Sequence, residues 1–164
     1  MNWYLVIKFL HVSAVAITIG SMFARQLVRG IARRSNNVNE IASLTRAAIR
    51  MDRVLVIPSS NVMVVAGFVL AIMLKWPIFG FLQGAAQNWL LVSNLLLIAL
   101  MVMIWTIFVP HNKKVDAYLQ SALAEGRVTT ELRAALNDKT NQWAHHAEEF
   151  VILFIAALMV LKPF

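Results

Sequence analysis

Long runs of apolar residues alternate with shorter polar stretches along the chain. Each of four runs is long enough to cross a lipid bilayer, because a hydrocarbon core of about 30 Å requires a helix of roughly 20 residues. The runs cover residues 3–24, 54–76, 89–109 and 143–161. A helix satisfies its own backbone hydrogen bonds in lipid, so each run predicts a transmembrane helix. Short links between neighbours favour an all-α fold, a four-transmembrane-helix up-and-down bundle that forms one integral membrane domain over residues 1–164.

Two polar segments, 25–53 and 110–142, separate these runs at alternate positions. The first contains apolar residues at a helical spacing, which predicts an amphipathic helix lying near the membrane surface: Ile41, Leu44, Ala48 and Met51. The second is rich in Ala, Leu, Glu, Arg and Lys and predicts a helical hairpin broken near Gly126. Pro58 is expected in the first turns of the second span, where proline is tolerated, and Pro110 is expected to end the third.

Composition supports the membrane assignment and removes several kinds of chemistry. The chain is 60% hydrophobic and 14% charged, whereas soluble domains have about 45–50% apolar and 25% charged residues. It has no cysteine, which excludes disulfides, thiolate catalysis, cysteine zinc sites and iron–sulfur clusters. No pairing of a nucleophile with a base, phosphate-binding glycine loop or pair of intramembrane carboxylates can be identified. The question of enzyme activity therefore depends on the histidines.

The net charge of +7 is concentrated in the two polar segments. Seven of the fifteen basic residues lie in 25–53 and five in 110–142, whereas the link 77–88 has none. By the positive-inside rule, this predicts a multi-pass protein of the bacterial inner membrane with both termini on the outer, periplasmic side. Topology and contact with anionic lipid headgroups account for the charge without nucleic acid. The expected partners are the lipid bilayer and a membrane protein or a second copy of the chain.

His11 is the first candidate for chemistry, because it lies about 12 Å below the outer surface at 1.5 Å per residue. An ionisable side chain at that depth is costly, which makes a functional role the default hypothesis. Neutral imidazole can bind haem iron axially. The alternative is a structural histidine that is hydrogen-bonded to Asn94 or Ser93, which lie at a similar depth. His11 shares one face of its helix, at spacings of seven, with Thr18 and Arg25.

A haem b bound to His11 would normally have a second axial ligand. Met63 on the second span lies within a few ångströms of the same level by residue counting, although methionines more often simply fill a core. His145 and His146 lie some 10 Å or more nearer the cytoplasm, so a bis-histidine haem is strained. Arg25 could pair with a haem propionate or a lipid phosphate, or could be one more topology-setting arginine.

A second candidate site lies at the start of the fourth span. His145 shares a helical face with Glu148 and Glu149, and His146 neighbours Glu149. With His111 from the end of the third span, these imidazoles and carboxylates could hold a divalent transition metal. The alternative is a solvated helix start whose acidic residues favour the positive end of the helix dipole.

Several short segments carry a family resemblance over nearly the whole chain. They are Leu5-Val-Ile-Lys-Phe-Leu-His11 followed by Gly20, then Asp52-Arg53 with Pro58 and Gly67, and the tail Leu158-Met-Val-Leu-Lys-Pro163. Together they resemble a bacterial family of predicted integral membrane proteins of unknown function. More distantly, Leu10-His11, the later glycine and Arg25 are similar to the first helix of two other groups, the HemJ-type protoporphyrinogen oxidase and the copper-resistance protein D family. That likeness implies haem binding through His11.

Three hypotheses for function remain open. The first is a redox protein that binds haem b through His11, with Met63 or no protein group opposite. The second is a non-catalytic accessory, assembly or transporter-like subunit of the membrane. The third is a cytoplasmic-side metal site at His145, His146 and Glu149.

Overall fold

The computed structural model describes residues 2–163. Those residues form helices and connecting turns with no strand, which confirms the all-α fold. Seven α-helices follow one another: α1 (Trp3–Arg34), α2 (Val38–Met51), α3 (Ile57–Met73), α4 (Trp89–Met103), α5 (Val109–Glu125), α6 (Thr130–Leu136) and α7 (Lys139–Leu161).

These helices form four long rods, as the four apolar runs predict. In the described part of the chain, four helical stretches are long and apolar enough to span a membrane: Trp3–Arg34, Val38–Met73, Trp89–Glu125 and Thr130–Leu161. Large apolar side chains such as Phe9, Val65 and Trp105 are exposed along them. An outward apolar surface of this kind is expected of a bundle that lies in lipid.

The rods run up and down, so each end of the bundle has its own character. The start of α1, the link 77–88 and the end of α7 meet at one end, here called the terminal end. The Arg-rich end of α1 and the helices α2, α5 and α6 meet at the other, here called the basic end. α1 packs on α3, and α4 packs on α7.

Pro58 and Pro110 both lie inside continuous helical rods, in each case directly after a π-helical turn. The turns are Asp52–Val56 and Ile104–Phe108, and each proline follows two residues later. In each case the residue before the proline donates its N–H to a carbonyl five residues back, from Ile57 to Asp52 and from Val109 to Ile104. The prediction that Pro110 ends the third helix is therefore wrong. The wider turn continues the hydrogen bonding around a residue that has no N–H.

The basic end contains a small apolar core of its own. α2 packs its apolar face, including Ile41, against Leu119 and Ala122 of α5 and Leu132 of α6. The predicted amphipathic helix is confirmed, but it continues into α3 and covers other helices instead of lying alone at the surface. The predicted break at Gly126 is also confirmed, since Gly126 ends α5 with a φ of 69°.

The terminal end is closed by the link between α3 and α4. Trp76 and Trp89 pack edge to face there, with ring centroids 5.1 Å apart. Gly80 begins a short 3₁₀ turn with a φ of 52°, and a Cβ atom at this position would lie 2.5 Å from Oδ1 of Asn88. Only glycine fits both constraints at this position.

Candidate functional site

A cavity of about 510 Å³ opens between the rods in the terminal half of the bundle. Side chains of α1, α3, α4 and α7 line it, and its walls are mostly apolar. A few polar side chains also line it: Tyr4, Lys8, His11, Asn94 and Lys162. An apolar cavity of this size with a small number of polar groups is typical of sites for small molecules and cofactors.

His11 lines this cavity and is fixed by one hydrogen bond. Its Nδ1 atom lies 2.8 Å from the backbone carbonyl oxygen of Met63 on α3. A carbonyl only accepts, so Nδ1 carries the proton and donates. In the neutral ring, the Nε2 atom is then unprotonated, with its lone pair available to a metal or an acidic hydrogen. Ligating histidines in proteins commonly have this second-nitrogen bond to a carbonyl.

Gly67 allows the His11 ring to lie directly against α3. A Cβ atom at position 67 would be 3.0 Å from Cε1 and 3.3 Å from Nδ1 of the ring. These distances are closer than packed carbon atoms normally approach. Gly67 therefore permits a close contact between α1 and α3, a role that small residues serve in membrane bundles.

Substitution of Gly67 with valine should therefore destabilise the bundle by about 1–3 kcal/mol, the usual cost of overpacking. The new side chain must displace the His11 ring, because its Cβ atom is fixed to the α3 backbone at a position that is too close to the ring. Gly20→Val is the matched control, since a Cβ atom at Gly20 would meet nothing within 4 Å. Thermal unfolding in detergent measures both variants. Equal melting temperatures would show that the ring moves aside without cost.

The structure places Met63 at the level of His11, as residue counting predicts, and both residues line the cavity. The alternative partners of the ring are wrong. The Nδ2 group of Asn94 donates to the carbonyl oxygen of Ile78 at 3.2 Å. The hydroxyl of Ser93 donates to the carbonyl oxygen of Trp89 at 2.8 Å. The His11 ring is bonded to a backbone carbonyl group instead. The side chain of Asn94 lines the same cavity.

The face of α1 that carries His11, Thr18 and Arg25 looks into the bundle. Thr18 is buried, and its hydroxyl lies 2.7 Å from that of Ser59 on α3. Arg25 is also buried, but it is fourteen residues beyond His11, or about 21 Å along the helix at 1.5 Å per residue. Arg25 therefore lies in a separate cluster near the basic end, and a role for it at a His11 cofactor stays a prediction.

In that cluster, Arg25 bridges two carboxylates on different rods. Its Nη1 donates to Oδ1 of Asp52 at 2.6 Å, and its Nη2 donates to Oε2 of Glu148 at 2.7 Å. The Arg25 side chain is only 5% exposed and that of Glu148 is 9% exposed. Arg29 adds a second bond to Asp52 at 3.1 Å. The cluster joins the first, second and fourth rods through fixed charges.

His145 belongs to the same cluster and uses both of its ring nitrogens there. Arg29 donates to Nε2, which fixes the proton on Nδ1, and Nδ1 lies 3.1 Å from Oε2 of Glu148. The ring stacks on Phe108, with centroids 4.2 Å apart. Phe108 closes the second π turn, so the turn positions this contact.

The other predicted metal ligands do not converge on His145. His146 is 65% exposed and pairs with Glu149 at 3.6 Å, whereas His111 lies 3.7 Å from Asp138. His111 and His145 do line a common cavity, but it measures only about 70 Å³. Within residues 2–163, no three histidine or acidic side chains form a group that could hold a metal ion. Metal binding at these residues stays a prediction.

The comparisons with known proteins identify a family. A family model described as "Predicted integral membrane protein (DUF2269)" matches residues 5–163. The chain belongs to this family. The match confirms the main resemblance seen in the sequence, and the description gives a membrane location without an activity. No curated protein and no solved structure matched the chain.

Sequence reasoning missed two parts of these sites. The first is Asp52, the partner of Arg25, although an acidic residue at the start of an apolar run and near several arginines was a usable signal. The second is the pair Lys8 and Lys162, which line the cavity. Their signal in the sequence is a charged residue inside an apolar run, for Lys8, or directly after one, for Lys162.

Proposed function

We propose that this protein binds haem b in the cavity of the terminal half, where Nε2 of His11 would hold the iron, and acts as a redox component of the bacterial inner membrane. One observation carries the proposal: the bond from Nδ1 of His11 to the carbonyl oxygen of Met63 leaves Nε2 of the neutral ring free to bind a metal in an apolar cavity. Neutral imidazole with a fixed tautomer is the form that ligates iron.

The residues of the cavity fit such a group in their chemistry. His11 supplies a nitrogen ligand, and Met63 orients it, because its carbonyl oxygen accepts the hydrogen bond from Nδ1 on the side of the ring opposite Nε2. The walls are apolar and would keep water from the iron. Haem iron, when bound, supplies one-electron redox chemistry.

The proposal includes an orientation for the chain. Twelve of the fifteen basic residues lie in the segments 25–53 and 110–142, which the positive-inside rule assigns to the cytoplasm. The terminal end would then face the periplasm. The cofactor would lie in the outer half of the membrane, near electron donors or acceptors on that side.

Titration of the detergent-purified protein with haem b tests the proposal directly. We expect a saturable change in the Soret band at one equivalent of haem per chain, because the proposed site has one histidine ligand, His11, in the cavity of the terminal half. Haem in protein-free detergent micelles is the reference. A spectrum that stays identical to that reference at all ratios would overturn the proposal and favour a non-catalytic accessory or transporter-like subunit.

A further inference from the structure

The acidic and basic residues of the chain are distributed very unequally between the two ends of the bundle. All eight acidic side chains lie between residues 40 and 149. Three basic residues lie outside the two Arg-rich segments, namely Lys8, Lys75 and Lys162. The terminal end thus carries lysines but no acidic side chain that could neutralise them.

Two of these lysines line the cavity, and their ammonium groups lie over aromatic rings. Nζ of Lys162 is 4.1 Å from the ring centroid of Trp76, and Nζ of Lys8 is 5.8 Å from that of Tyr4. A lysine in an apolar helix directs its charge toward the water interface, since a charge within lipid is costly. We therefore expect both charges at the edge of the cavity that is nearer to water.

The backbone also positions these side chains relative to His11. Lys8 precedes His11 by three residues and so shares its face of α1. Lys162 caps α7 in a left-handed conformation, with a φ of 46° and its N–H donated to the carbonyl oxygen of Leu158. A left-handed lysine is uncommon, and this cap brings the side chain back over Trp76.

We propose that Lys8 and Lys162 bind the carboxylate groups of the ligand, and that the cavity is therefore specific for a planar apolar molecule with acid groups at one edge. This inference rests on the proposed function, in which the ligand is haem b and the acid groups are its two propionates. Ammonium–carboxylate bonds are among the stronger hydrogen bonds, and they strengthen further beside low-dielectric walls. The alternative anion is the phosphate of a lipid headgroup at the same interface.

Titrations with haem b and with its uncharged dimethyl ester separate these cases. For Lys8→Gln, Lys162→Gln and the double variant, we expect affinity for haem b to fall about tenfold per lysine. Affinity for the diester should change by less than about twofold, because it has no carboxylate. Lys75→Gln is the matched control, since Lys75 is a lysine of the same end that does not line the cavity.

Equal affinity of the wild type and the double variant for haem b would overturn this inference. Binding of haem b to the wild type in that case would leave the proposed function intact, so the two failures can be told apart. A repeat in nanodiscs with and without phosphatidylglycerol tests the lipid alternative. If the lysines serve lipid, the double variant should lose only phosphatidylglycerol-dependent effects; if they serve haem, the loss of affinity persists without that lipid.

Discussion

Replacement of His11 with alanine should weaken the binding of haem b by about a hundredfold or more, because it removes the nitrogen that ligates the iron. The change should leave the fold in place, since the ring makes one hydrogen bond, to the carbonyl oxygen of Met63. The Soret titration measures the affinity, and circular dichroism measures the helix content. Loss of affinity with unchanged helix content is the expected pair of results.

Two further measurements make the His11 result specific. His146→Ala is the matched control, because His146 is 65% exposed and lies near the basic end; it should bind haem b like the wild type. Free imidazole should restore the axial-ligand spectrum of His11→Ala by entering the space that the ring leaves. Equal affinity of His11→Ala and the wild type would remove His11 as the ligand.

Replacement of Arg25 with methionine should destabilise the protein by about 3–5 kcal/mol, the typical cost of removing one partner from a buried ion pair. The methionine is close to arginine in length but leaves two carboxylates, Asp52 and Glu148, without their main counter-ion. Unfolding in mixed micelles at increasing denaturant fractions gives the free energy of unfolding. A loss below about 1 kcal/mol, the value of a surface pair, would show that Arg29 alone neutralises the cluster.

A surface arginine and a compensated variant serve as controls for Arg25. Arg127 is 79% exposed beside Glu125, and Arg127→Met should cost at most about 1 kcal/mol. The triple variant Arg25→Met/Asp52→Asn/Glu148→Gln removes the unpaired charges as well, so it should recover part of the loss. No recovery would mean that the packing of the long side chain, rather than charge, dominates.

The four rods could be predicted from the sequence because lipid imposes a strict requirement on the chain. Every spanning segment must be both apolar and about 20 residues long, and the four apolar runs of this sequence meet both conditions. Pro110 was misjudged for a local reason. A proline normally removes one hydrogen bond from an α-helix. Here the π turn of residues 104–108 pairs the N–H of Val109 with the carbonyl oxygen of Ile104, so the helix continues. No pattern of residues in the sequence predicts such a turn.

The sites were predictable to different degrees. His11 could be found by its depth, and the level of Met63 by counting residues along two helices. The bond that fixes the ring goes to a backbone carbonyl, which every residue has, so no side-chain spacing indicates it. The partners of Arg25 come from two other rods, and their meeting depends on how those rods rotate about their own axes.

In the second and third rods, that rotation follows from the two π turns. Each wide turn adds one residue to a rod, and one residue corresponds to about 100° of azimuth in an α-helix. This one extra residue sets the direction in which the side chains after the turn point, relative to those before it. In the second rod, Ile41 before the turn faces the small core of the basic end, and Met63 after it faces the bundle interior. Relatives that lack one residue between 52 and 57 would therefore need a compensating insertion, or a differently patterned α2, to keep both surfaces in place.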